Sequence, residues 1–170
     1  MKILVIVMSA LWLAGCASFG GALVPGTSSK ADARATLGEP AAVHAGVPGQ
    51  AAAESWEYPT GPAGRYTYMA RFDAQGKLLG MDQVLTVNQA AKIAFGKATE
   101  SDVRMLLGRP GYVYRYDNGT RMWDYAAVSG DGVPRKIRLT VTFDKAGVAL
   151  SGGESFDPEE FLTFDGASSM

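Results

Sequence analysis

Between Glu100 and Leu107 the apolar residues Val103, Leu106 and Leu107 fall at i, i+3 and i+4, which predicts a short helix with one apolar face. Thr99 stands where an N-cap belongs, and Asp102, three residues on, can reach back as in a capping box. Gly108 can stop the helix in the left-handed conformation, and Pro110 bars its continuation. From Tyr112 the period changes to two. Tyr112, Tyr114 and Tyr116 alternate with Val113 and Arg115, and Asp117-Asn118-Gly119 is a hairpin turn. A second strand carries Met122 to Ala127, and the run from Gly130 to Pro134 breaks it. Ile137, Leu139, Val141 and Phe143 then alternate with Lys136, Arg138, Thr140 and Thr142, the pattern of a strand with one face on a core. Asp144 to Gly147 turns the chain into a last short strand.

The same order of elements is written once before. Gly96, Thr99, Asp102, Arg104, Leu107, Gly108 and Pro110 fall on Gly26, Ser29, Asp32, Arg34, Leu37, Gly38 and Pro40. Trp123-Asp124-Tyr125 falls on Trp56-Glu57-Tyr58, and Phe143 to Gly147 on Phe72 to Gly76. The offset drifts slightly between blocks, which places insertions in loops between fixed elements, and the ordered set implies a tandem duplication. The first helix is the weaker copy, with Ala33, Thr36 and Leu37 on its apolar face. In the third strand Tyr66, Tyr68, Ala70 and Phe72 keep the phase, so one-sided burial is expected in both copies. Asn88, Ala91, Ile93 and Phe95 predict an extra helix before the second copy, where the first has Gly20 and Gly21 and reads as tether. The expected fold is therefore α+β. Two tandem units, 24–85 and 86–153, each carry a short helical segment and a three- or four-stranded antiparallel meander, the helices on one sheet face.

Composition narrows the function classes. Of 170 residues, 47% are hydrophobic and 19% charged, a globular balance, and 21 glycines suit a turn-rich sheet protein. Sixteen basic and seventeen acidic residues leave a net charge of -1, which gives no electrostatic case for nucleic acid. His44 is the single histidine and Cys16 the single cysteine, so neither a histidine-based triad nor a His/Cys metal cluster can be assembled within one chain. No catalytic residue, metal ligand or cofactor is expected, and His44 reads as an ordinary strand or loop histidine. Asp157, Glu159 and Glu160 would be the acids of an enzyme working with carboxylates alone, but Asp-Pro-Glu-Glu reads first as an N-cap, a proline at N1 and helix-start acids.

Residues 1–15 carry Lys2 and a short apolar run from Ile3 to Leu13, too short to span a bilayer, and read as a signal peptide. Leu13-Ala14-Gly15-Cys16 resembles the lipobox of bacterial lipoproteins, which implies acylation of Cys16, a tether over 16–23 and a covalent lipid in place of a cofactor. Ala17 and Ser18 follow, with no Asp directly after the cysteine, so the expected place is the outer membrane, facing the periplasm.

Asn88, Ile93, Gly96, Ser101 to Arg104, Leu106 to Pro110, Trp123, Tyr125 and Phe143 to Gly147 occur in an order that resembles the SmpA/OmlA (BamE-like) lipoprotein domain. The resemblance covers 88 to about 150 well and 24 to about 85 less well. It implies a non-catalytic protein-binding module in envelope assembly, with an envelope protein as partner, the barrel-assembly machinery being the best-known case. The doubled unit also resembles the β-lactamase inhibitor protein fold, in which one continuous sheet forms a concave face. That second resemblance implies an inhibitor of a periplasmic or secreted enzyme.

The aromatic residues are the candidate surface. Tyr112, Tyr114 and Tyr116 share one side of their strand. They form either a buried sheet face or an open one that grips a protein, with Arg115, Arg121 and Arg138 contributing. Trp56 and Trp123 read as structural. In the tail, 154–170, Phe156, Phe161, Leu162 and Phe164 are too apolar to hang free, so a short helix near 158–162 is expected to dock on the body, with Gly166 to Met170 disordered.

Overall fold

A computed structural model describes residues 19–46, 49–129 and 134–158. Elements follow the order α1 (Lys30–Leu37), β1 (Ala42–Ala45), β2 (Glu54–Thr60), β3 (Tyr66–Phe72), β4 (Leu78–Gln83), α2 (Val87–Ala90), α3 (Glu100–Leu107), β5 (Tyr112–Arg115), β6 (Arg121–Val128), β7 (Lys136–Phe143) and β8 (Ala149–Phe156). The strands form two four-stranded antiparallel meanders, β1-β2-β3-β4 and β5-β6-β7-β8. These are separate sheets, not the single continuous sheet of an inhibitor-like face. Among the described residues no helix is long and apolar enough to cross a membrane. The Cys16 lipid site, the signal peptide and most of the proposed tail helix lie outside the described residues.

Local chemistry forms the helices as expected. Ser29 and Thr99 are N-caps whose side chains accept from the Asp32 and Asp102 amides, and both aspartates return the bond to the cap amide, at 2.7 and 2.8 Å. Gly38 and Gly108 end the helices, but not in the left-handed helical region. Their φ, ψ of 82°, -166° and 80°, -161° lie in a positive-φ extended corner that is open in practice to glycine alone. The extra helix before the second unit is a single turn, α2, capped by Thr86.

The two halves repeat their contacts. Trp56 meets Phe72 with ring centroids 4.8 Å apart, and Trp123 meets Phe143 at 4.6 Å. Arg34 and Arg104 lie over those indoles at 4.4 and 4.5 Å. The hydroxyls of Tyr58 and Tyr125 donate to the carbonyls of Gly38 and Gly108. Both third-to-fourth strand pairings shift register at the same place, before Phe72 and before Phe143. These matches are consistent with a tandem arrangement.

The halves differ in what covers each sheet. Ala33 and Leu37 of α1 pack on Trp56, Tyr58, Ala70, Phe72 and Leu78 of the first sheet. Thr36, expected on that face, is exposed. Val103, Leu106 and Leu107 of α3 pack on Trp123, Tyr125, Leu139, Val141 and Phe143 of the second. The opposite face of the first sheet is buried too: Ser55, Glu57, Thr67 and Met69 are each at most 3% exposed. One-sided burial therefore holds for β7 but not for β3. The α3 end supplies the cover, because the Arg109 amide donates to Glu57 across the two halves at 3.2 Å. The layers run α1, first sheet, α2 with α3, second sheet.

Two buried charges lock that stack. Glu57, 2% exposed, also takes a bond from His44 Nε2 at 2.8 Å, so His44 is a structural partner of an inter-unit carboxylate. Burial alone pushes the Glu57 carboxyl up, but the His44 bond and the Arg109 amide outweigh it and hold its pKa below the ordinary glutamate value of 4.5. Arg65, at the start of β3, reaches into the second half. It donates to the carbonyls of Ala127 (3.0 Å) and Ile137 (3.4 Å) and to Asp157 Oδ2 (2.6 Å). Both partners of the ion pair are at most 4% exposed.

Arg65→Ala leaves Asp157 buried without its cation and is expected to destabilise the fold by about 3–5 kcal/mol, read by urea denaturation, with Arg65→Met costing less through retained volume. Glu57 has a depressed folded pKa, so its contribution is complete above pH 4.5 and is lost as pH falls from there through the folded pKa. Glu57→Gln should therefore lose less stability than the parent chain between neutral pH and pH 4, measured by denaturant midpoints across that range.

Candidate functional site

The outer face of the second sheet is open along β5, whereas Asp124, Ala126 and Val128 of β6 on the same face are buried. Register defines its members. Tyr112 pairs with Asp124 and Tyr114 with Met122, Met122 pairs with Thr142, Asp124 with Thr140 and Ala126 with Arg138. Side chains at paired positions share a face, so these residues lie together, opposite Trp123, Tyr125 and Val141. Tyr116 follows in phase, and its hydroxyl lies 3.9 Å from Met122 Sδ.

The three tyrosines are exposed, at 61% (Tyr112), 46% (Tyr114) and 48% (Tyr116). Of the two readings of this row, the open face is the one observed. β5 is an edge strand, and neither α2 nor α3 extends over it, so Val113 and Arg115 on its other side are exposed as well. Three rigid aromatic rings with hydroxyl tips, held on a strand, present large contact area at low entropic cost.

Next to them Asp124 receives a two-pronged bond from Arg138, Nε to Oδ1 at 2.9 Å and Nη2 to Oδ2 at 2.5 Å. Its bond to Asp124 raises the Arg138 pKa, and the guanidinium lies 5.7 Å from the Tyr112 ring. The charge on this face is thus fixed in place and partly neutralised.

The arginines do not all join the tyrosines. Arg121 pairs with Arg115 in register and both project to the helix side of the sheet. Arg121 Nε is 2.6 Å from Glu100 Oε1, which ties it to α3. Arg138, not Arg121, is the arginine that shares the tyrosine face. Its Asp124 partner was legible as the acid of the repeated Trp-acid-Tyr element, but only register shows that both face outward.

Other sites offer less. Among the described residues no group of three His, Cys, Asp or Glu side chains could hold a metal. The carboxylate cluster is represented in the described residues by Asp157 alone, whose carboxylate is engaged by Arg65. A cleft of ≈ 390 Å³ lies between the halves, lined by Ser55, Arg71, Lys92, Lys97, Met105 and Leu106 among others.

Residues 82–152 match the family model described as the outer membrane protein assembly factor BamE domain. No curated protein and no solved structure matches the chain. The matched span begins at Asp82 near the end of β4 and runs through α2, α3, β5, β6 and β7 into β8, so it contains the whole tyrosine row and the Asp124–Arg138 pair. Residues 82–152 are thus similar to the BamE domain of the SmpA/OmlA family.

Proposed function

We propose that this chain is a non-catalytic, lipid-anchored module of outer-membrane protein assembly that binds another envelope protein through the outer face of its second sheet. The observation that carries the reading is the exposed row Tyr112, Tyr114 and Tyr116 within the span that matches the BamE model. Tyrosine and arginine are the usual anchors of protein interfaces, and the Arg138 guanidinium beside Tyr112 is already held in place. Arg115 lies at the rim, and Arg121 supports the edge strand from behind through Glu100. The lipobox-like Leu13-Ala14-Gly15-Cys16 supports acylation at Cys16 and residence at the outer membrane facing the periplasm. The first half, 24–85, is read as a second unit of BamE type that buttresses α3 from the far side.

Two measurements test this. Full-length protein captured from detergent-solubilised envelopes should bring down barrel-assembly subunits, identified by mass spectrometry, and Tyr112→Ala with Tyr114→Ala should weaken that capture about tenfold or more with the fold intact. Undiminished capture by the double variant would remove the tyrosine face from the interface. Cys16→Ala should move the protein from the membrane to the soluble periplasmic fraction, seen by fractionation. Retention at the membrane would remove the lipid from the account.

A further inference from the structure

The tyrosine row runs into a cleft. Tyr114 pairs with Met122 and Tyr112 with Asp124, so the next step on the same face would set Pro110 opposite Ala126. Proline has no N–H for the ladder, and β5 begins only at Tyr112. A cleft of ≈ 300 Å³ lies at that place instead. Pro110, Gly111 and Ala126 line it from the second unit, and Pro59, Ala63 and Gly64 of the β2–β3 hairpin line it from the first. Pro59, Ala63, Arg109 and Gly111 are exposed and form its rim, whereas Leu85, Tyr125 and Ala126 are buried and form its floor.

The hairpin wall is held in an unusual shape. Ala63 has φ 54°, the single positive φ outside glycine among the described residues, and such a conformation is sparsely populated by a residue with a Cβ. Two residues on, Arg65 fixes that wall to the second unit. The Glu57 carboxylate at the base already takes bonds from His44 and from the Arg109 amide, so the interior presents no unmet charge. The Arg109 side chain stands half exposed at the rim.

We infer that this cleft is the anchor pocket of the tyrosine face, and that the partner is an extended peptide segment lying along the row with one aromatic side chain in the cleft and acidic residues beside it. The inference rests on the reading that this face binds a protein, and it names the chemistry of that protein. Size argues for a single side chain, because about 300 Å³ is the bottom of the range for small-molecule sites. Walls of proline, alanine and leucine suit a flat apolar ring, the usual anchor of an interface. Spacing argues for an extended segment. Alternate residues of β5 stand about 7 Å apart, the interval at which another extended chain presents its own side chains, whereas a helix advances about 5.4 Å per turn and falls out of step. Charge argues for acids. Lys136 and Arg138 share the outer face with Asp124 alone as counter-charge, and Arg109 adds a cation at the rim.

The experiment selects random dodecapeptides displayed on phage against the full-length protein in detergent, then titrates the enriched peptides by fluorescence anisotropy. Enriched sequences should carry an aromatic residue with Asp or Glu close by. Ala63→Trp, which fills the cleft, should weaken their binding about tenfold or more. Pro59→Trp fills it from the same hairpin and should act alike, and an unfolding midpoint near that of the parent reports that each variant is folded. Arg109→Gln should weaken the acidic peptides several-fold and leave their amide analogues unchanged. Binding lost in Tyr112→Ala with Tyr114→Ala but untouched by both tryptophan variants overturns the anchor pocket and leaves the tyrosine face standing. Binding indifferent to all of these variants overturns both readings. Enriched peptides without an aromatic residue, or no enrichment at all, also overturn the inference.

Discussion

The Arg65 guanidinium makes one body of two small units. It leaves the first sheet at the start of β3 and satisfies two carbonyls of the second sheet as well as the Asp157 carboxylate, in a place where water does not reach. A buried ion pair adds little net stability over an apolar substitute, yet it tolerates few alternative arrangements, because each unpaired partner would be left desolvated. Together with Glu57 on the Arg109 amide, it sets the position of α3 between the sheets. Both cores depend on that position. α3 supplies Val103 and Leu107 to one sheet and closes the polar face of the other.

The equivalent acids show how the stack ends. Glu57 and Asp124 occupy the same place in the repeated Trp-acid-Tyr element, and each sits on the sheet face away from its own helix. Glu57 is met by the backbone of the next unit. Asp124 is met by Arg138 from the neighbouring strand, where the first unit has Thr67 at the equivalent position. A threonine leaves room for an incoming helix end, whereas an arginine fills that room and neutralises the acid. At the other end of the stack α1 carries Ala35 and Thr36 where α3 carries Met105 and Leu106. Small and polar residues there give the terminal layer a surface suited to water, as terminal units of repeat proteins require.

What could be read in the sequence follows the range of each interaction. The caps at Ser29 and Thr99 involve partners three residues away, and both were legible, as was the alternation of β7. The helix ends were legible as glycine positions, although the conformation they adopt was not. Arg65 gave no signal, since its partners lie 62, 72 and 92 positions on. The same holds for His44, whose role depends on a strand pairing and on a second unit behind it. β3 was misread as one-sided because alternation reports which residues share a face, not how many layers a sheet lies between. For the tyrosine row, phase was legible, but exposure was not, because alternation does not report whether a layer covers the face away from the helices.

The placement of α3 between the sheets has a consequence for how such a chain is made. Synthesis delivers the N-terminal half first, and β4 is complete while the Glu57 face still waits for residues that follow it. Until Arg109 arrives, the first sheet carries an acid, a methionine and two hydroxyls on a surface designed to be dry. That face is therefore completed only when the second half emerges.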